Sequence, residues 1–236
     1  MKKKALTNLI YMGNWGRGNS CINALCNNDN LVVQAVFTQY SLTTADPYFN
    51  LVHDFATNRN IPIVNTIDKS SNEVSGLILD YVDRQTGPDI VGLSVAFDKI
   101  FKRELLAKLK IINLHPSLLP KYRGPSPELW AIKNREKYIG ITLHWVNAGI
   151  DTGNIIYQDK FEIDYDMTYL SFIDWLNVNS AKVLSDFFAV ALPADFQGKV
   201  QDQLESYFAR IPGGGRFYRH SLGEISDILN RTEVSN

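Results

Sequence analysis

The sequence predicts an α/β fold, a mainly parallel twisted sheet flanked by helices, and two observations carry that prediction. Short apolar runs rich in β-branched residues alternate along the chain with segments whose apolar residues recur at helical spacing, the pattern of repeated strand–helix–strand units. A content of 45% hydrophobic residues over 236 positions supplies a substantial core and bounds the chain at one domain, or one domain with a small appendage.

Taken in order, residues 5–12 read as a first buried strand. Met1-Lys2-Lys3-Lys4 ahead of it has the look of a signal peptide, but Thr7 and Asn8 interrupt the apolar run and no convincing cleavage site follows. Gly13-Asn14-Trp15-Gly16-Arg17-Gly18-Asn19-Ser20 reads as a glycine-rich turn, and the apolar segment 21–25 as the opening of a helix capped by Asn19 or Ser20. Strand, glycine-rich turn and helix N-terminus together make an anion site. The glycine spacing does not match a dinucleotide fingerprint, and no acidic residue ends the next strand, residues 31–39. A tight turn and a phosphate cradle stay open as alternatives.

Residues 46–60 follow as a helix with Leu51, Val52, Phe55 and Ala56 on one side, then a short strand over 61–64. His53 in that helix has no partner motif and reads as a solvated or partly packed residue. Val74, Leu77, Ile78, Tyr81 and Val82 mark a helix over 74–82, residues 88–95 a strand, and residues 102–110 a helix that returns to Ile111. Farther on, residues 154–163 form a strand and residues 169–192 a long amphipathic helix with Phe172, Trp175, Leu176, Val183, Leu184, Phe187 and Phe188 inward. The stretch 206–216 is aromatic and glycine-rich, a loop or a dimer arm.

Composition narrows the partners. A formal net charge of −1 gives no electrostatic footprint for a phosphate backbone, so no nucleic acid is expected. Cys21 and Cys26 lie five apart in a helix and do not face each other, which indicates neither a disulfide nor a metal site and fits a reducing compartment. No stretch is long and apolar enough to cross a membrane, and the expected location is cytoplasmic.

Residues 111–153 concentrate the reactive groups. Pro116 keeps His115 out of the helical region, so Asn113-Leu114-His115 is the extended end of a strand entered through Ile111 and Ile112. Alternate side chains of a strand share a face. Asn113 and His115 therefore project together, an amide beside an acid/base group, at the strand end where α/β folds place ligands. Residues 140–146 read as a second strand and 147–153 as a loop, in which Gly149 and Gly153 give the backbone freedom to turn the Asp151 carboxylate inward. An Asp beside a His raises the imidazole pKa and favours its charged form. Singly, each has an ordinary reading: a cap, a surface histidine, an Asx-turn.

Asn113-Leu114-His115-Pro116-Ser117-Leu118-Leu119-Pro120, then Tyr122-Arg123-Gly124 and Pro127, then Ile150-Asp151-Thr152-Gly153 with Ile155, Ile156 and Gln158, resemble the formyltransferases that use 10-formyltetrahydrofolate. That family includes glycinamide ribonucleotide transformylase, methionyl-tRNA formyltransferase and the sugar N-formyltransferases. The match is strong over residues 90–163, holds only in pattern before them and is weak after residue 164. It implies a Rossmann-like catalytic domain over 1–195 and a short C-terminal extension over 196–236, a dimer or substrate arm. It implies Asn113, His115 and Asp151 as catalytic triad, and a folate site along Gly92, Leu93, Ser94, Val95, Ala96 and Phe97. It further implies acceptor contacts at Gly18, Asn19, Ser20, Ser117, Tyr122 and Arg123, with 10-formyltetrahydrofolate as co-substrate, a small amine as partner, no metal, and a homodimer.

By the same resemblance, Asn113 hydrogen-bonds the tetrahedral oxyanion, His115 is held charged by Asp151, and Asp151 or a water receives the amine proton. A Ser-His-Asp hydrolase reading through Ser117 is set aside, because no nucleophile-elbow sequence surrounds it. Formyl transfer, formyl-folate hydrolysis and an inactive binding module are the three classes in play. The leading acceptor is a nucleotide-linked amino sugar of the dTDP type, with glycinamide ribonucleotide and aminoacyl-tRNA as rivals. Against tRNA stand the net charge and the expectation that the chain is too short for the extra C-terminal β domain of the methionyl-tRNA enzymes.

Overall fold

The computed structural model describes residues 7–44, 46, 49–85, 90–189, 196–201, 207–211 and 217–231. Seven strands, β1 (Thr7–Gly13), β2 (Leu31–Thr38), β3 (Ile63–Asn65), β4 (Ile90–Val95), β5 (Lys110–His115), β6 (Tyr138–Trp145) and β7 (Ile155–Glu162), form one sheet in the order β3-β2-β1-β4-β5-β6-β7. The first five run parallel; β6 is antiparallel to β5 and β7 to β6. The predicted α/β class with a mainly parallel sheet is what the chain adopts.

Helices α1 (Trp15–Cys26), α2 (Leu51–Asn58), α3 (Ser71–Asp83), α4 (Arg103–Leu106), α5 (Pro127–Lys133), α6 (Tyr169–Ala189) and α7 (Leu222–Arg231) complete the described elements. The central strands are apolar on both faces because helices cover both, and their period-two alternation sorts each side chain to one of two cores. Leu9, Tyr11, Leu93, Val95, Ile112 and Leu114 pack with residues of α1 and α6, while Ile10, Met12, Ala35, Phe37 and Ile111 pack with Val74, Ile78 and Leu105 of α3 and α4.

Several boundaries depart from the sequence reading. Helix α1 opens at Trp15, six residues before Cys21, so Gly18, Asn19 and Ser20 are helical and do not form a loop. Gly18 serves close packing: a Cβ there would lie 3.1 Å from the Gly13 carbonyl carbon and 3.2 Å from Val52 Cγ2, and its N–H already donates to Asn14 O at 3.0 Å. The expected helices over 46–60 and 102–110 shorten to Leu51–Asn58 and to the single turn Arg103–Leu106, Lys110 being already in β5. Helices α5 and α7 have no counterpart in the sequence reading. The strand expected to begin at Pro88 and the ends expected at Ala5 and Leu192 extend outside the described residues.

The boundary expected at 195/196 borders the stretch 190–195, which is also outside the described residues, as are 202–206 and 212–216. The tail that is described packs on the body. Lys199 bridges Ile155, Tyr207 bridges Arg123, and Phe217, Leu222, Ile225 and Leu229 enter the larger core.

Helix α3 carries a reciprocal cap, in which Ser70 Oγ accepts from Glu73 N at 3.2 Å and Glu73 Oε2 accepts from Ser70 N at 2.8 Å. Ser70→Ala removes one of these bonds at an exposed helix start, and the expected loss is about 1 kcal/mol of unfolding free energy. Urea unfolding checks it; an unchanged midpoint would show that the cap contributes nothing.

Candidate active site

Strand β5 delivers Asn113 and His115 to one side at its carboxyl end, as the alternation requires, and the loop after β6 brings Asp151 to both. Asp151 Oδ1 is 3.4 Å from Asn113 Nδ2, and Asp151 Oδ2 is 3.6 Å from His115 Nδ1. Asp151 is itself the left-handed residue of the loop, with φ 53°, and its Oδ2 accepts the Gly124 N–H at 2.9 Å. Glycine flexibility is not what turns the carboxylate inward, which corrects the sequence reading: Gly149 and Gly153 are absent from the positive-φ residues. Gly153 gives space instead, since a Cβ there would fall 1.6 Å from Trp145 O.

His144, which the sequence reading passed over, is the fourth polar member. It pairs with Asn113 across the β5–β6 ladder, and its Nε2 lies 3.1 Å from Asn113 Nδ2 and 3.5 Å from Asp151 Oδ1. Its Nδ1 donates to Trp145 O at 2.9 Å. His144 Nε2 and Asp151 Oδ1 both lie within reach of the Asn113 amide nitrogen. One signal was legible: Thr142 and His144 are alternate polar residues in an otherwise apolar strand seven positions ahead of Asp151.

His115 is 5% exposed, and its Nε2 faces the backbone carbonyl of Tyr122 at 2.8 Å. Burial pulls its pKa below the ordinary 6.5; the Asp151 charge and the Tyr122 carbonyl push back without restoring it. The expectation that Asp151 holds His115 charged is therefore corrected: desolvation wins, and the ring is neutral at pH 7 with its proton on Nε2. Burial also opposes ionisation of Asp151, but His115, His144 and the Gly124 N–H together hold its carboxyl well below the usual carboxylate range. Asp151 stays a carboxylate.

Because folded His115 gives up its proton more readily than the unfolded chain does, the unfolded state binds more protons below about pH 6.5, and His115 costs stability as pH falls through that value. The imidazole titration is expected at a midpoint below 6.5, moving lower still in Asp151→Asn, which removes the charge that raises it. Proton NMR of the ring checks both; an Asp151→Asn midpoint above the wild-type one contradicts the assignment.

The other predicted site residues are placed differently. Gly92, Leu93, Ser94 and Val95 lie in β4 between β1 and β5 and are buried in the sheet, so of that set only Ala96 and Phe97 stand beyond the strand end. Ser117 is buried, with its hydroxyl donated to Lys121 O at 2.7 Å. The Tyr122 hydroxyl donates to Glu136 Oε1 at 2.8 Å, and the Arg123 guanidinium donates to Gln201 Oε1 at 3.1 and 2.9 Å. All three make hydrogen bonds within the chain close to Asn113, His115 and Asp151. Beside the loop lies a cleft of about 250 Å³ bordered by Leu106, Ile111, Trp145, Val146 and Gly153, and a larger one, about 660 Å³, runs along β7; neither is lined by Asn113, His115 or Asp151.

Near the end of β1, two buried donors have no acceptor among the described residues. Asn14 is 2% exposed and its Oδ1 accepts from Thr38 Oγ1 and Gln39 N, while its Nδ2 is unpaired, as is Arg17 Nε. Both flank the start of α1, whose dipole favours negative charge.

Fold and site together define an α/β domain that gathers an amide, an imidazole and a carboxylate at the carboxyl end of its central strands. Residues 54–186 match the formyl transferase family, and the chain belongs to it. It is similar to a methionyl-tRNA formyltransferase of Clostridioides difficile, 30% identical over 187 residues that cover 78% of this chain and 57% of that protein. Among solved structures it is similar to WlaRD, a sugar 3N-formyl transferase seen with dTDP and 5-N-formyl-THF, at 26% identity and TM-score 0.66 over 87% of this chain and 70% of that one. Phosphoribosylglycinamide formyltransferase from Bacillus halodurans shares the fold, at 20% identity and TM-score 0.63 over 80% of this chain and all of that one. The chain spans about half the length of the curated relatives it matches.

Proposed function

We propose that this chain transfers the formyl group of 10-formyltetrahydrofolate to a primary amine, and that the amine belongs to a nucleotide-linked amino sugar. The observation that carries the transfer is the convergence of Asn113 and His115 on the single carboxylate of Asp151 in a chain of the formyl transferase family. The reaction joins the amine nitrogen to the formyl carbon, breaks the bond from that carbon to the folate nitrogen, and moves one proton from the amine to the leaving nitrogen.

Each residue has a part that its environment fits. Asn113 Nδ2 donates to the formyl oxygen as negative charge develops on it, the kind of preorganised contact that contributes about 3 kcal/mol. Neutral His115 presents Nδ1 to accept the amine proton, and the imidazolium so formed lies between Asp151 Oδ2 and Tyr122 O. Asp151, held so far below the usual carboxylate range, is too weak a base to compete and acts by charge. Ala96 and Phe97, just beyond the end of β4, offer apolar groups that suit a folate ring.

Support for the acceptor is the likeness to a sugar 3N-formyl transferase and the unpaired donors of Asn14 and Arg17, which fit an anionic group such as a diphosphate. A second reading, formylation of methionyl-tRNA, is favoured by the curated relatives. The test is release of tetrahydrofolate from 10-formyltetrahydrofolate with dTDP-linked amino sugars, glycinamide ribonucleotide, methionyl-tRNA or no acceptor. The sugar is expected to turn over fastest. Turnover of methionyl-tRNA or glycinamide ribonucleotide without any amino sugar overturns the acceptor, and equal turnover with no acceptor identifies a hydrolase.

A further inference from the structure

Asp151 takes the left-handed conformation, which Asp tolerates, and part of its restraint comes from a distant part of the chain. A non-glycine residue at φ 53° persists where its surroundings over-determine it. Here the surroundings include one side-chain amide, that of Gln201. Its Nε2 donates to Asp151 O at 2.8 Å and to Gly153 O at 2.7 Å, spending both of its hydrogens on the two carbonyls that bracket Thr152. Its Oε1 accepts from Nε and Nη2 of Arg123. Gln201 is 7% exposed and Arg123 6%, so these bonds form where unmade polar contacts are costly.

Arg123 lies between two residues already in contact with the triad. The carbonyl of Tyr122 faces His115, and the N–H of Gly124 binds Asp151. The segment 122–124 thus holds His115 through one peptide group, the Asp151 carboxylate through another, and the Asp151 backbone through Arg123 and Gln201. Tail residues that follow keep to this segment: Phe208 N donates to Arg123 O at 2.9 Å, and Trp130 Nε1 donates to Ala209 O at 2.7 Å.

We infer that Gln201 is a positioning residue for formyl transfer: it locks the Asp151 loop against the 122–124 segment and so fixes the carboxylate beside His115. The inference rests on the activity proposed above, and one of its two readouts does not depend on that activity. Gln201→Glu keeps the shape and an acceptor for Arg123 but turns an oxygen toward two carbonyls; Gln201→Met removes donor and acceptor at similar volume and adds no charge.

In the full chain, both variants are expected to lose about 10–100-fold in kcat, the scale set by a misplacement near 1 Å, with a much smaller change in KM. In Gln201→Met the His115 titration, followed by proton NMR, is expected to move downward toward that of Asp151→Asn, because the carboxylate that raises it is no longer held in place. A purely structural role moves neither kcat per folded molecule nor that midpoint. Wild-type kcat and an unmoved His115 midpoint in Gln201→Met overturn the inference, as does a loss of activity in both variants that tracks the unfolded fraction seen by thermal melting. A wild-type chain that transfers no formyl group to any acceptor removes the activity reading alone, and the His115 midpoint then decides Gln201.

Discussion

His115→Ala is expected to turn over about 10³-fold more slowly than the wild-type chain while remaining folded. The ring is a neutral base at the site, whereas Asp151 is held far below the usual carboxylate range. Its removal leaves the amine proton no nearby acceptor but solvent. The structural cost is modest by comparison. Tyr122 O loses its buried donor and a cavity opens, together on the order of 1–3 kcal/mol. KM for the acceptor changes little, because the ring binds the proton that moves rather than the substrate at rest. Steady-state kinetics with a parallel melting curve check this, and a His115→Ala enzyme with kcat within a few-fold of wild type removes the ring from the proton transfer.

Gly153→Ala, a change of one methyl group, is expected to be nearly as damaging, for a different reason. The added Cβ would sit 1.6 Å from Trp145 O and 2.7 Å from the carbonyl carbon, both backbone atoms of β6. Neither can yield as a side-chain end can. The same peptide region carries the bond from Trp145 N to Asn154 O at 2.9 Å, so relief requires moving the loop off the strand. The expected cost is on the order of 3–4 kcal/mol, at the upper end of the range for overpacking. With Asp151 two residues away, a shift near 1 Å also removes about 100-fold in kcat. Equilibrium urea unfolding and a kinetic assay give the two readouts. A variant that keeps both wild-type stability and wild-type kcat shows that the loop has room the structure does not reveal.

What could be read from the sequence and what could not divide along a physical line. Asn113 and His115 were legible because a strand's period of two and the restriction imposed by Pro116 are local rules. Asp151 was legible as a residue but not for its mechanism, since the glycine beside it provides clearance from β6, a fact about tertiary packing. His144 was hidden because its role depends on the antiparallel register that sets it opposite Asn113. Gln201 was hidden for a like reason: nothing within its own neighbourhood says that it reaches Arg123 and Asp151.

Elements failed where one residue type had two uses. Gly16 and Gly18 look like a phosphate-loop signature, yet they lie inside α1, where Gly18 lets the helix approach the end of β1. The proline-rich stretch before α5 reads as a connector, although Pro127 is that helix's first residue, a position proline suits. The family resemblance implied acceptor contacts at Tyr122 and Arg123. Their hydrogen-bond partners within the chain, Glu136 and Gln201, lie 14 and 78 positions away, beyond what local pattern can show.

The contact between His115 Nε2 and the Tyr122 carbonyl bears on how this site can vary in evolution. The atom that fixes the imidazole tautomer belongs to the main chain, which every amino acid carries. Drift at position 122 is therefore filtered by whether a newcomer tolerates φ 60° and fits beside Phe208 and Glu136, and hardly by acid–base chemistry. Asparagine or glycine, both at ease in that backbone region, would keep the proton in place while surrendering the aromatic packing. A saturation library at 122 should accordingly sort by thermal stability, with pH profiles that stay superimposable among its folded members.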